Sequence, residues 1–138
     1  MNLLILASHG NLAQGMKQTL QMIIGEVDNL YAFSAFREDE RSMKEQVQQL
    51  IELHRDKDIY ILTDILGGSV NTEMIQLLDK YPEIHLLSGM NLPLVLLLAS
   101  QSKKITEEQI NNFITESQSA LINCSKIIKE NQLKEDDL

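Results

Sequence analysis

His9 and Asp64 are the two residues best placed to do chemistry. His9 lies in the turn Ser8-His9-Gly10-Asn11 behind an apolar run, Leu3-Leu4-Ile5-Leu6-Ala7. Asp64 ends a second run, Ile59-Tyr60-Ile61-Leu62-Thr63, just ahead of Gly67-Gly68-Ser69. A neutral imidazole has one nitrogen that donates and one that accepts, so a carboxylate taking the Nδ1 proton leaves Nε2 free as a nucleophile or base. Asp64 fits that orienting role. A glycine turn leading into a helix offers backbone N–H groups to an anion, and Ser69 adds a hydroxyl donor. Together these groups point to acceptance of a phosphoryl group through a phosphohistidine, with no separate cofactor required.

Each residue also has an ordinary reading. A histidine in a Ser-His-Gly turn is more often structural, an aspartate at a strand end caps the next turn, glycine pairs punctuate loops, and Ser69 is a ready N-cap. What favours chemistry is that all of them converge on one crevice. His54 falls on the apolar face of a helix and His85 inside a strand, so both read as packing or surface residues.

The convergence depends on topology. Strand-like and helix-like patterns alternate along the chain, which predicts an α/β, doubly wound sheet of mostly parallel strands with helical crossovers. Strands are expected at Leu3–Ala7, Leu30–Phe33, Ile59–Thr63 and Ile84–Leu87. Helical stripes follow them: Leu12, Met16, Leu20 and Ile23, closed by Gly25; Met43, Val47, Leu50, Ile51 and His54; Met74, Leu77, Leu78 and Tyr81, stopped by Pro82; and a short helix from Asn91 to Ser100. The capping box Thr106-Glu107-Glu108-Gln109 opens a final helix whose buried face would be Ile110, Phe113, Ile114, Ser117, Leu121, Cys124 and Ile128. Right-handed crossovers give strand order 2-1-3-4, with strands 1 and 3 adjacent at the switch point where such sheets bind ligands. His9 and Asp64 then share one crevice.

The bulk properties are those of one globular domain. With 138 residues the chain should bury roughly two-thirds of its unfolded surface, and the reading is a single domain over 1–129 with a polar, frayed tail over 130–138. It is 43% hydrophobic and 4% aromatic, so aliphatic side chains and methionine must fill the interior. A net charge of −8 argues against nucleic acid as a partner and suits basic proteins. The lone Cys124 makes neither a disulfide nor a thiolate zinc site, and the three scattered histidines lack ligand spacing, so no metal is expected. No apolar stretch approaches the roughly 20 residues needed to span a bilayer, and no signal-like segment opens the chain, so a cytoplasmic protein is expected. Nucleotide-binding glycine loops and a G-x-S-x-G elbow are absent from the sequence.

The stretch from Ile5 to Met16, with Ser8-His9-Gly10-Asn11 at its centre, closely resembles the opening of the enzyme IIA domain of the mannose family of the bacterial phosphoenolpyruvate-dependent sugar phosphotransferase system. Ile61 to Ser69 resembles that family's second motif, and Ser88-Gly89-Met90-Asn91-Leu92-Pro93-Leu94 its third, in register over about the first hundred residues. The resemblance implies that His9 receives a phosphoryl group from phospho-HPr and passes it to a IIB component. It implies that Asp64 hydrogen-bonds the histidine, that Gly67, Gly68 and Ser69 hold the phosphoryl group, and that Ser8, Gly10 and Asn91 form the rim. It further implies a homodimer, an antiparallel edge strand from residues around 100–105, and membrane contact only through the IIC/IID transporter. Because the chain ends where some relatives continue through a linker into IIB, a IIB partner on a separate chain is expected. One departure stands out. Val70-Asn71 replace the family's usual proline and aromatic, and without proline at the first helical position the helix start is expected to loosen.

Two other readings compete. The phosphotransfer subunit of a dihydroxyacetone kinase shares the fold and uses a histidine, but the Gly67-Gly68-Ser69 and Asn91-Leu92-Pro93 motifs favour the sugar system. A receiver-like signalling module would use Asp64 itself as acceptor. Receivers, however, place an acidic pair after strand 1, where this chain has Ser8-His9.

Overall fold

The computed structural model of the chain describes residues 1–36 and 42–136, with side chains as far as Leu133. Four strands, β1 (Asn2–His9), β2 (Leu30–Ala35), β3 (Asp58–Thr63) and β4 (His85–Ser88), form one all-parallel sheet in the order β2-β1-β3-β4. The helices are α1 (Leu12–Ile24), α2 (Met43–Leu53), α3 (Ser69–Lys80), α4 (Leu92–Ala99), α5 (Glu107–Ser119) and α6 (Cys124–Asp136). The doubly wound architecture and strand order are those expected from the alternation of patterns.

Helices cover both faces of the sheet, which explains why the central strands read as continuous apolar runs. Successive residues of β1 and β3 point to opposite faces. Leu3, Ile5, Ala7, Ile59 and Ile61 pack with Val47 and Ile51 of α2 and Met74 and Leu77 of α3. Leu4, Leu6, Tyr60 and Leu62 meet Ala13 and Leu20 of α1, Val95 and Leu98 of α4 and Ile110 of α5. Each leucine, isoleucine, valine or methionine among them, once buried, contributes about 1.5–3 kcal/mol. β1 is therefore clamped on both faces along most of its length, and a rigid strand delivers its last residue to a fixed point.

That last residue is His9. The sequence places it in a turn, but the ladder continues through it: Ser8 is paired with Ser34 and His9 with Ala35 of β2. On the other side Ala7 is in register with Thr63, so Asp64 follows directly where β3 ends beside β1.

Three expectations change. Leu12 and Ile23 are half exposed rather than buried on the α1 stripe. The single last helix divides into α5 and α6, because Asn123 caps a new helix by accepting the Lys126 amide on its side chain and the Ile127 amide on its carbonyl. Leu121, Cys124 and Ile128 keep helical spacing yet stand exposed, because the break at 121–123 parts them from the face of α5 that Ile110 and Ser117 bury. Among the described residues no antiparallel strand forms around 100–105. That segment is pinned instead across the other end of the sheet, by Asn2 donating to the carbonyls of Gln101 and Lys103 and by the buried Tyr60 hydroxyl, which takes the Ile105 N–H and donates to its C=O. Residues 130–136 continue α6, while 137 and 138 lie outside the described residues.

Candidate phosphoryl-transfer site

Beyond the carboxyl ends of β1 and β3, Asp64 takes His9 in two ways through a single oxygen. Its Oδ2 accepts the His9 backbone N–H at 2.8 Å and lies 2.7 Å from Nδ1. Its Oδ1 accepts the Ile65 N–H at 2.9 Å. The Asp64 side chain is only 10% exposed, whereas His9 is 51% exposed. Burial by itself pushes the Asp64 carboxyl upward. The hydrogen bonds from His9 and Ile65, with the nearby imidazole, outweigh it and hold the group below its ordinary value. Asp64 is thus a carboxylate at neutral pH.

The tautomer follows from this geometry. A carboxylate only accepts, so Nδ1 carries the proton and the neutral ring has its lone pair on Nε2. The Ser69 Oγ lies 2.9 Å from Nε2 and is the donor there. Asp64, His9 and Ser69 form one hydrogen-bonded line in which Nε2 carries the lone pair of a half-exposed ring.

The glycine turn shapes the approach to that atom. Gly67 has φ 80°, a conformation that side chains rarely adopt. A Cβ on Gly68 would stand 2.8 Å from Ile65 Cγ2, so the Ile65 side chain would have to shift, and at ordinary contact distance, 3.5 Å, from His9 Cε1. The two glycine N–H groups do not face an incoming anion. Gly67 donates to Asn71 Oδ1 at 3.1 Å and Gly68 to the Ile65 carbonyl at 3.2 Å. The unengaged donors lie one step further along. Among the described residues the backbone N–H groups of Ser69, Val70 and Asn71, in the first turn of α3, meet no acceptor. They carry the positive end of the helix dipole.

The rim residues fare differently. Ser8 is fully buried and its Oγ caps α1 by accepting the Ala13 N–H at 2.7 Å, so it sets the start of that helix and does not line the opening. Gly10 donates to the Ala35 carbonyl at 2.8 Å and turns the chain away from the sheet. Asn91 Oδ1 caps α4 at the Leu94 N–H, 2.9 Å away, beside Gly89, whose N–H is held by the Thr63 carbonyl. His54 and His85 stand apart, the first on the Leu50 carbonyl and the second stacked on Tyr60 and paired with Glu107. Sequence reasoning passed over an apolar collar of Leu12, Phe36, Ile65 and Leu66, each between 48% and 76% exposed and each following a strand end. The signal was present: Ile65-Leu66 is apolar inside a glycine turn, where solvent alone would favour polar residues.

Comparison with known proteins places nearly the whole chain among relatives. Residues 3–115 match the family EIIA-man, described as the PTS system fructose IIA component. The fructose-specific EIIA component of the phosphotransferase system of Bacillus subtilis (strain 168) is 27% identical over 129 residues, covering 91% of this chain and 88% of its own. A solved structure assigned to a phosphoenolpyruvate-dependent sugar phosphotransferase system permease of Klebsiella pneumoniae is 33% identical with a TM-score of 0.81, covering 92% and 93% of the two chains. The mannose/sorbose-specific IIA subunit of Enterococcus faecalis superposes with a TM-score of 0.74 at 25% identity, over 88% and 93%. With the family match spanning most of its length, the chain belongs to the mannose-type IIA components of the sugar phosphotransferase system, which are phosphoryl carriers.

Proposed function

We propose that His9 Nε2 is the atom that carries the phosphoryl group, in a cytoplasmic carrier that takes it from phospho-HPr and gives it to a IIB component. The observation that carries this reading is the Asp64–His9–Ser69 line, which leaves one nucleophilic nitrogen on a half-exposed ring. The Nε2 lone pair attacks phosphorus as the bond to the donor's phosphorylated histidine breaks, and the electron pair of that bond leaves with the donor nitrogen. Positive charge developing on the His9 ring is met by Asp64. Ser69 Oγ–H is released from Nε2 when the new bond forms and turns to a phosphoryl oxygen, and the first N–H groups of α3 accept the others. Transfer onward reverses these steps with IIB as acceptor.

The collar of Leu12, Phe36, Ile65 and Leu66 gives a protein partner apolar surface to cover around the histidine. The net charge of −8 favours a basic donor. The carrier works as a homodimer. In support, β4 is bonded along one side only, and Leu121 and Ile122 lie exposed beyond the end of α5.

Incubation with phosphoenolpyruvate, enzyme I and HPr should attach one acid-labile phosphoryl group to the wild-type chain and none to His9→Ala. Full labelling of His9→Ala would place the acceptor elsewhere.

A further inference from the structure

Asn71 does something that the departure from proline and aromatic did not lead one to expect. It is the third residue of α3 and is 2% exposed, so its amide had to find partners inside the protein. Its Oδ1 accepts the Gly67 N–H at 3.1 Å and its Nδ2 donates to Thr63 Oγ1 at 2.9 Å. Thr63, the residue before Asp64, donates in turn to the Leu87 carbonyl of β4 at 3.4 Å. One buried amide thus ties the end of β3 to the glycine turn that leads into Ser69.

We propose that Asn71 is a positioning residue for phosphoryl transfer, holding the Gly67-Gly68 turn against β3 so that Ser69 Oγ stays on His9 Nε2. The proposal rests on the reading of His9 as acceptor. The physical reason is that two adjacent glycines leave the turn with many conformations, and local bonds must select one. The Ile65 carbonyl holds Gly68 from within the turn, whereas Asn71 is the side chain that fixes Gly67 to a strand. An aromatic at this place has no amide to span the gap, and a proline before it would fix only its own φ. Asn71 therefore holds the turn by hydrogen bonding, which neither of the two residues usual in the family would do.

The test is the single-turnover rate of transfer from saturating phospho-HPr, measured on the full chain. Asn71→Ala should transfer about tenfold more slowly, because displacing a reacting group by a fraction of an ångström costs on that order. In a Ser69→Ala background the same substitution should cost less than about twofold, since its effect passes through Ser69. Thr63→Val, which keeps the shape of the side chain and removes its oxygen, should reproduce the Asn71→Ala loss, and Thr63→Ser should restore the rate. A wild-type rate in Asn71→Ala, or an undiminished loss in the Ser69→Ala background, overturns the proposal. Should Asn71→Ala not fold, Thr63→Val decides the matter, and a wild-type rate there overturns it equally. His9→Ala run alongside separates the two levels. Labelling of His9→Ala refutes the acceptor reading itself, whereas an inert His9→Ala beside an unimpaired Asn71→Ala refutes only the role of Asn71.

Discussion

At the scale of single residues, the site turns on how one oxygen is used. Asp64 Oδ2 receives both the backbone and the ring of His9, so the histidine has little freedom left in its side-chain torsions. Asp64→Asn keeps the size of the group but presents an amide that can offer a donor to Nδ1, favouring the wrong tautomer. Transfer from phospho-HPr should then slow by at least roughly tenfold with the fold intact, and stopped-flow or quench kinetics would detect it. A rate equal to wild type would remove Asp64 from the mechanism. The same contact has a pH signature. A carboxyl held below its unfolded pKa of about 3.9 contributes its full stabilisation above that value and loses it as pH falls through the lowered folded pKa. The gap in thermal midpoint between wild type and Asp64→Asn should accordingly shrink on going from about pH 6 to about pH 3. A constant gap would mean that ionised Asp64 adds nothing to the folded state. His9 and Asp64 were legible in the sequence because each closes an apolar run. Asn71 was not, because an asparagine in the first turn of a helix has no sequence signature that distinguishes a buried bridge from a solvated side chain.

At the scale of elements, the strands were legible for a plain reason. Sheets covered on both faces demand continuous aliphatic runs, and Leu3–Ala7 and Ile59–Thr63 have no other good use. The capping box of α5 was equally readable, and it is present with the Thr106 and Gln109 side chains serving each other's backbone. The division between α5 and α6 escaped because periodicity reports what a helix could bury and says nothing of whether a surface waits for it. Ser117 is the last buried residue of α5, and from Leu121 to Leu133 every described side chain is exposed. A helix of 13 residues with no packed face is marginal in water. Truncation after Asn123, which removes α6 alone and keeps Leu121 and Ile122, should therefore leave the thermal midpoint within about 3 °C of the full chain. A loss well beyond that would show that α6 is packed in solution, and differential scanning calorimetry would report it.

At the scale of the whole molecule, the fold separates support from chemistry. The sheet's two cores hold β1 and β3 from both faces, while every residue of the hydrogen-bonded line lies at their carboxyl ends. The order β2-β1-β3-β4 was accessible from handedness and crossover rules. The assembly was not, because one chain's pattern does not say what covers an open sheet edge. Sedimentation equilibrium at micromolar concentration should give twice the mass of one chain, and a monomer across that range would refute the homodimer.

The way His9 is anchored carries a consequence for traffic. Nδ1 is closed off by Asp64, so with His9 as the proposed acceptor a phosphoryl group has one entrance and must depart through it. Donor and recipient have to occupy the same threshold in turn, and neither can dock until the other has left. On this geometry the carrier is a shuttle that must let go of its supplier before making each delivery.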